Sequence, residues 1–98
     1  MKHIHYEMIR RVNAKMILNP SGTDILYNHG LRTISQQIAE RGHMIDLGPR
    51  DAAIEDFIAR IVDLYLIQDP ESNEEFAFNN GINDAIDIIR SYKLSRRY

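Results

Sequence analysis

Ninety-eight residues, 44% of them hydrophobic, are enough for one modest core and too apolar for a disordered chain. No cysteine is present, which excludes a disulfide framework, a zinc finger and a thiol nucleophile together and makes a reducing cytoplasm the expected location. The net charge of −2 hides a division: Lys2, Arg10, Arg11 and Lys15 face only Glu7 in the first twenty residues, ten acids crowd residues 50–87, and Arg90, Lys93, Arg96 and Arg97 close the chain.

No stretch reaches the roughly 18 uninterrupted apolar residues of a membrane helix, and the opening Met1-Lys2-His3-Ile4-His5-Tyr6-Glu7 lacks the apolar centre of a signal peptide. No membrane association is expected.

Ile4, Met8, Ile9, Val12 and Met16 make one stripe of a helix over 3–18. The alternation His3-Ile4-His5-Tyr6-Glu7-Met8 offers a short N-terminal strand as the alternative. Asn19-Pro20-Ser21-Gly22 reads as a turn. A second helix over 21–41 starts at Ser21 or Thr23, both good caps, and ends at Arg41-Gly42. Gly30 inside it costs about 1 kcal/mol against alanine, and marks either a close helix crossing or a break.

His43 to Gly48 reads as a connection, and Pro49 suits the first turn of a third helix over 49–67. Ile54, Phe57, Ile58, Ile61, Leu64 and Tyr65, widened by Val62, Leu66 and Ile67, give that helix an apolar surface broad enough for the centre of the core. Asp56 and Arg60 form an i,i+4 pair on its exposed side. Asp69-Pro70 ends it.

The last helix, over 72–93, carries the fullest set of signals. Ser72 and Glu75 form a capping box, acids fill the first turn, and bases fill the last. Phe78, Ile82, Ala85, Ile89 and Tyr92 are its apolar stripe. The expectation is therefore an all-α bundle of about four helices in a single domain, residues 1–98, without internal repeat and with a fraying basic tail over 94–98.

Candidate chemistry is sparse. Glu71-x-x-Glu74 and Asp84-x-x-Asp87 resemble half of the Mg²⁺ site of all-α nucleotide pyrophosphohydrolases. Those enzymes, however, carry their acid pairs on two helices, and here both fall on one. Asp84 and Asp87 also point off the apolar stripe, so a solvated acidic face is expected. His3 and His5 would project together only from a strand, His29 and His43 are isolated, and no metal or cofactor is expected. Neither a Gly-x-Ser-x-Gly elbow nor a glycine-rich phosphate loop occurs, so no enzyme is expected.

Thr33 to Gly42 resembles the first half of a helix-turn-helix, but the helix that follows opens with Arg50-Asp51-Ala52-Ala53-Ile54-Glu55-Asp56, which DNA phosphates would repel. The small size, absent cysteine and bipolar charge resemble compact regulatory proteins of bacteria and their phages.

The leading expectation is a non-enzymatic protein-binding regulator or inhibitor, homodimeric, that meets a larger protein through Asp51, Glu55, Asp56, Asp63, Glu74 and Tyr65. One alternative is a nucleic-acid-binding regulator using Arg10, Arg11, Lys15, Arg90, Lys93, Arg96 and Arg97. A second is a small-ligand binder with a pocket at an oligomer interface near Tyr27 or Tyr65.

Overall fold

The computed structural model describes residues 3–94. Five helices follow one another: α1 (Ile4–Ala14), α2 (Asp24–Arg41), α3 (His43–Leu47), α4 (Arg50–Tyr65) and α5 (Asn73–Arg90). Among the described residues there is no strand, so the all-α expectation holds and the N-terminal strand does not form.

Expected and observed boundaries differ for local reasons. α1 stops at Ala14 rather than 18, because the Ile17 backbone is taken by a side chain of α2: Asn28 Oδ1 accepts from Ile17 N–H at 2.8 Å, and Asn28 Nδ2 donates to the Ile17 carbonyl at 2.9 Å. α4 stops at Tyr65 rather than 67 for the same reason. Asn79 on α5 accepts from Ile67 N–H at 2.9 Å and donates to its carbonyl at 2.8 Å. Each asparagine is buried and replaces a helical partner for one residue of the preceding turn.

α2 begins at Asp24. Thr23 takes the N-cap position in helical conformation with no side-chain cap bond, so neither Ser21 nor Thr23 caps as expected. α5 begins as expected, with Ser72 Oγ accepting from Glu75 N–H at 3.2 Å. The return bond of the capping box is displaced by one residue: Glu75 Oε1 accepts from Glu71 N–H at 2.8 Å.

The expected connection over 43–48 is instead the short helix α3, which turns Ile45 into the core and leaves Met44 and Leu47 exposed. Its N-cap is Gly42, where a Cβ would lie 2.8 Å from the His5 Cβ, so glycine lets the start of α1 approach this corner. Because α3 follows α2 immediately and has five residues, the helix-turn-helix resemblance has no recognition helix behind it.

The centre of the molecule is the α2–α5 pair, not α4. Leu31, Ile34 and Ile38 of α2 meet Ile82, Ala85 and Ile89 of α5, while Met8 and Val12 cover them from α1 and Ile54, Phe57, Ile58 and Ile61 from α4. Leu64 of α4, expected on the core face, is exposed.

Gly30 and Gly81 make this pairing possible. A Cβ on Gly30 would lie 2.4 Å from the Phe78 carbonyl oxygen, and a Cβ on Gly81 would lie 2.2 Å from the Tyr27 carbonyl oxygen. Gly30 therefore marks a close crossing and not a break. The contacts are reciprocal: Gly30 meets Ile82 N as Gly81 meets Leu31 N.

A short motif recurs around these glycines, although the chain as a whole was expected to carry no internal repeat. Ile17 and Pro20, followed by Tyr27-Asn28-His29-Gly30-Leu31, match Ile67 and Pro70, followed by Phe78-Asn79-Asn80-Gly81-Ile82. The isoleucine-to-asparagine bond spans 11 residues in the first half and 12 in the second. The turns before α2 and α5 are thus tied to the following helix by the same kind of bond.

One bond has no counterpart in the second copy of the motif. Tyr27 Oη donates to Asp84 Oδ2 at 2.5 Å, where the matching residue Phe78 has no hydroxyl. Asp84 is therefore part of the helix pairing, and not the solvated acid expected. Burial first, then the bond to the Asp84 carboxylate and its charge, push the Tyr27 hydroxyl from 10.0 up to about 12.

The protonated phenol favours the folded state, so this contribution is complete below pH 10 and is lost as pH rises through about 12. Absorbance at 295 nm is expected to show one late-ionising tyrosine. Tyr27→Phe should remove that phase, cost about 1 kcal/mol at neutral pH, and flatten the alkaline loss of stability.

Candidate functional site

The acids and bases picked out by the sequence separate in space. Asp51 and Glu55, one turn apart on α4, meet the end of α5. Leu94 N–H donates to Asp51 Oδ1 at 2.6 Å, and Lys93 Nζ donates to Glu55 Oε1 at 2.8 Å. The Lys93 bond, reinforced by the charges of Lys93 and Arg90, holds the Glu55 carboxyl below its usual value. The acidic centre and the basic end of the chain therefore neutralise one another here. Leu94 is tied down by this contact, while 95–98, including Arg96 and Arg97, lie outside the described residues.

Asp63 and Glu74 are exposed on α4 and on the first turn of α5, and Tyr65 is half-buried against the core. At the other end of the charge pattern, α1 does lie beside the end of α5. Arg11 Nη1 donates to Ser91 Oγ at 3.3 Å, and its guanidinium sits 5.2 Å from the centre of the Tyr92 ring. Tyr92 Oη in turn donates to Glu7 at 3.3 Å. Arg10, Lys15 and Arg90 are exposed around this contact. Arg11 and Lys93 thus serve internal contacts, and the exposed cations on α1 and α5 flank acids as well as one another.

The sequence reading missed a groove of about 520 Å³ along α3 and α4. Met44, Gly48, Pro49, Ala52, Ala53 and Phe57 make its apolar surface, and Arg41, His43, Asp56 and Arg60 its polar edge. Asp56 and Arg60, expected as an i,i+4 pair, both lie on this rim, but no ion pair joins them. Three local facts build the groove. α3 is only five residues long, so it cannot cover α4; Pro49 turns the chain sharply into α4; and Ala52 and Ala53 lack the side chains that would fill the space. Met44 and Leu47, 58% and 77% exposed, stand beside it. Neither Tyr27 nor Tyr65 lines it, so the pocket lies away from both tyrosines named by the sequence.

A second cluster joins α1 to α3. Asp46 caps α1 from outside, accepting the Ile4 N–H at 3.0 Å through Oδ1. Its Oδ2 accepts from the His5 Nδ1–H and lies 3.7 Å from His3 Nδ1. The expectation that His3 and His5 converge only from a strand is corrected: His3 is extended immediately before the helix, and the two rings, 5.9 Å apart, share one carboxylate. These are the residues among those described that could hold a metal ion.

Among the described residues no buried side-chain nitrogen or oxygen lacks a hydrogen-bond partner. No helix of the described chain is long and apolar enough to cross a membrane. No family model matches this chain, and neither the curated proteins nor the solved structures contain a significant match to it.

Proposed function

We propose that this chain is a non-enzymatic binding protein that holds an apolar segment of a larger protein in the groove between α3 and α4, and regulates that protein by occupying it. The observation that carries the reading is the composition of the groove: a floor of Phe57, Ala53, Pro49 and Met44 beneath a rim with two arginines, Arg41 and Arg60, against one carboxylate, Asp56. Apolar contacts supply affinity in such a site, and charges at the rim select the partner. The rim favours a segment with an acidic residue beside its apolar anchor. The acidic surface around Asp51 and Glu55 is the weaker candidate, because both are engaged by the end of α5.

Ala52→Trp tests this reading, since Ala52 is exposed and lines the groove, so the bulk fills the groove without entering the core. In a pull-down treated with nuclease, the wild-type chain should retain a stoichiometric protein and Ala52→Trp should lose at least about tenfold of it, the scale of one lost apolar anchor. Equal retention by the variant contradicts the groove. Recovery of nucleic acid alone, lost on nuclease treatment, favours instead the exposed cations Arg10, Lys15 and Arg90 near the α1–α5 contact.

A further inference from the structure

We propose that His3, His5 and Asp46 form a binding site for a divalent transition-metal ion of the zinc or cobalt class, which clamps the start of α1 to α3. The ligand atoms of the three residues all lie within 4.8 Å of one another. Bound to one ion at about 2.0–2.2 Å, such atoms stand about 3.3 Å apart in tetrahedral geometry, so His3 Nδ1 must close on Asp46 Oδ2 from 3.7 Å while the short His5–Asp46 hydrogen bond opens to admit the ion. His3 is free to close, because its side chain is about half exposed and precedes the helix, whereas His5 and Asp46 are nearly buried and need only part from one another.

The carboxylate is already oriented for a single-oxygen bond. Asp46 Oδ1 is held by the Ile4 N–H, which leaves Oδ2 turned to both imidazoles. Metal-ligating side chains in proteins are commonly fixed by this kind of outer hydrogen bond. In the metal-free molecule the His5 Nδ1 proton bridges to Asp46. The ion takes the place of that proton, which moves to Nε2 as the other neutral tautomer of the ring.

The donor set selects the ion. Two imidazole nitrogens with one carboxylate suit zinc and cobalt, whereas Mg²⁺ and Ca²⁺ prefer all-oxygen sites. Three protein ligands leave a fourth position for water, on the side where His3 meets solvent. The three residues belong to two elements distant in sequence, so the site exists only in the folded chain.

The test uses the full chain without an affinity tag, stripped with chelator and titrated with Co²⁺ and Zn²⁺. The expected result is one-to-one saturation, a visible Co²⁺ absorption of four- or five-coordinate type, and a rise in Tm with metal, because an ion that binds only the folded chain stabilises it. His3→Ala should leave the metal-free Tm unchanged and weaken binding at least tenfold. Asp46→Asn should weaken binding similarly, and it also removes the carboxylate that caps α1, so its metal-free Tm should fall. No stoichiometric binding by the wild-type chain overturns the proposal, as does unchanged affinity in His3→Ala. Binding that leaves Tm unmoved overturns it too, since an ion held by His3 and its chain neighbours alone would bind folded and unfolded chains alike.

Discussion

Replacing Gly81 with alanine is expected to destabilise the fold by roughly 2–3 kcal/mol, although alanine is the better helix former by about 1 kcal/mol. The added Cβ would stand 2.2 Å from the Tyr27 carbonyl oxygen and 3.0 Å from the Leu31 nitrogen, both backbone atoms of α2 that no rotamer change can move. The helices must separate, and the contacts of Leu31, Ile34, Ile82 and Ala85 loosen along the whole seam. Gly30→Ala meets the mirror obstacle, the Phe78 carbonyl oxygen at 2.4 Å, and should cost a similar amount. In a chain of this size the expected fall in Tm is about 10 °C or more for either variant. The double variant removes a large share of a total stability on the order of 5–15 kcal/mol.

Gly48→Ala is the control. A Cβ there meets nothing nearer than the Met44 carbonyl oxygen at 3.7 Å, and its stability should stay within about 0.5 kcal/mol of wild type. Thermal unfolding followed by circular dichroism reads all four. A Gly81→Ala protein as stable as the parent would show that α2 and α5 do not meet at the glycines.

Asn79→Ala is the second large effect. The amide makes two bonds to the Ile67 backbone and is 8% exposed. Truncation leaves the Ile67 N–H and carbonyl, on a half-buried residue, without their protein partner, at a cost of about 2–4 kcal/mol. Asn79→Asp cannot rescue it, because a carboxylate accepts from Ile67 N–H but cannot donate to the carbonyl, and it brings a charge into a buried position. Asn28→Ala should cost less. Its partner Ile17 is 38% exposed, so water can replace the lost amide. Urea unfolding should place the midpoints in the order wild type, Asn28→Ala, Asn79→Ala. The reverse order would contradict the burial argument.

These two effects also show where the sequence was legible. The last helix was most legible at its start, where the cap and the acids of the first turn are local and Asn73 follows Ser72 as expected; its end falls at Arg90 rather than 93, so Tyr92 and Lys93 lie beyond it. The ends of α1 and α4 could not, because each is set by an asparagine 11 or 12 residues downstream. A signal for this was present: isoleucine and proline ahead of aromatic-Asn-x-Gly-aliphatic, twice. It is easily overlooked because the second copy contains one extra residue and few other positions agree.

The site was less legible than the fold. Asp51 and Glu55 are conspicuous in the sequence, but their partners are Leu94 and Lys93, some forty residues away. The groove depends on how the five-residue α3 leaves α4 uncovered, and α3 has too few residues to show a helical period. Its traces in the chain are only the small residues Ala52 and Ala53 beside Met44, Leu47 and Pro49. Likewise, His3 and His5 become a pair with Asp46 only once α1 has docked on α3.

The measurement that bears most directly on the proposed binding role is site-specific photo-cross-linking from the groove. A photoreactive amino acid at Met44, which lines the groove and is exposed, is compared with one at Ala14, an exposed residue of α1 away from it. The account predicts one protein product from position 44 and none from position 14, with the product abolished by Ala52→Trp. Equal products from both positions, or a product at 44 that survives Ala52→Trp, would contradict it.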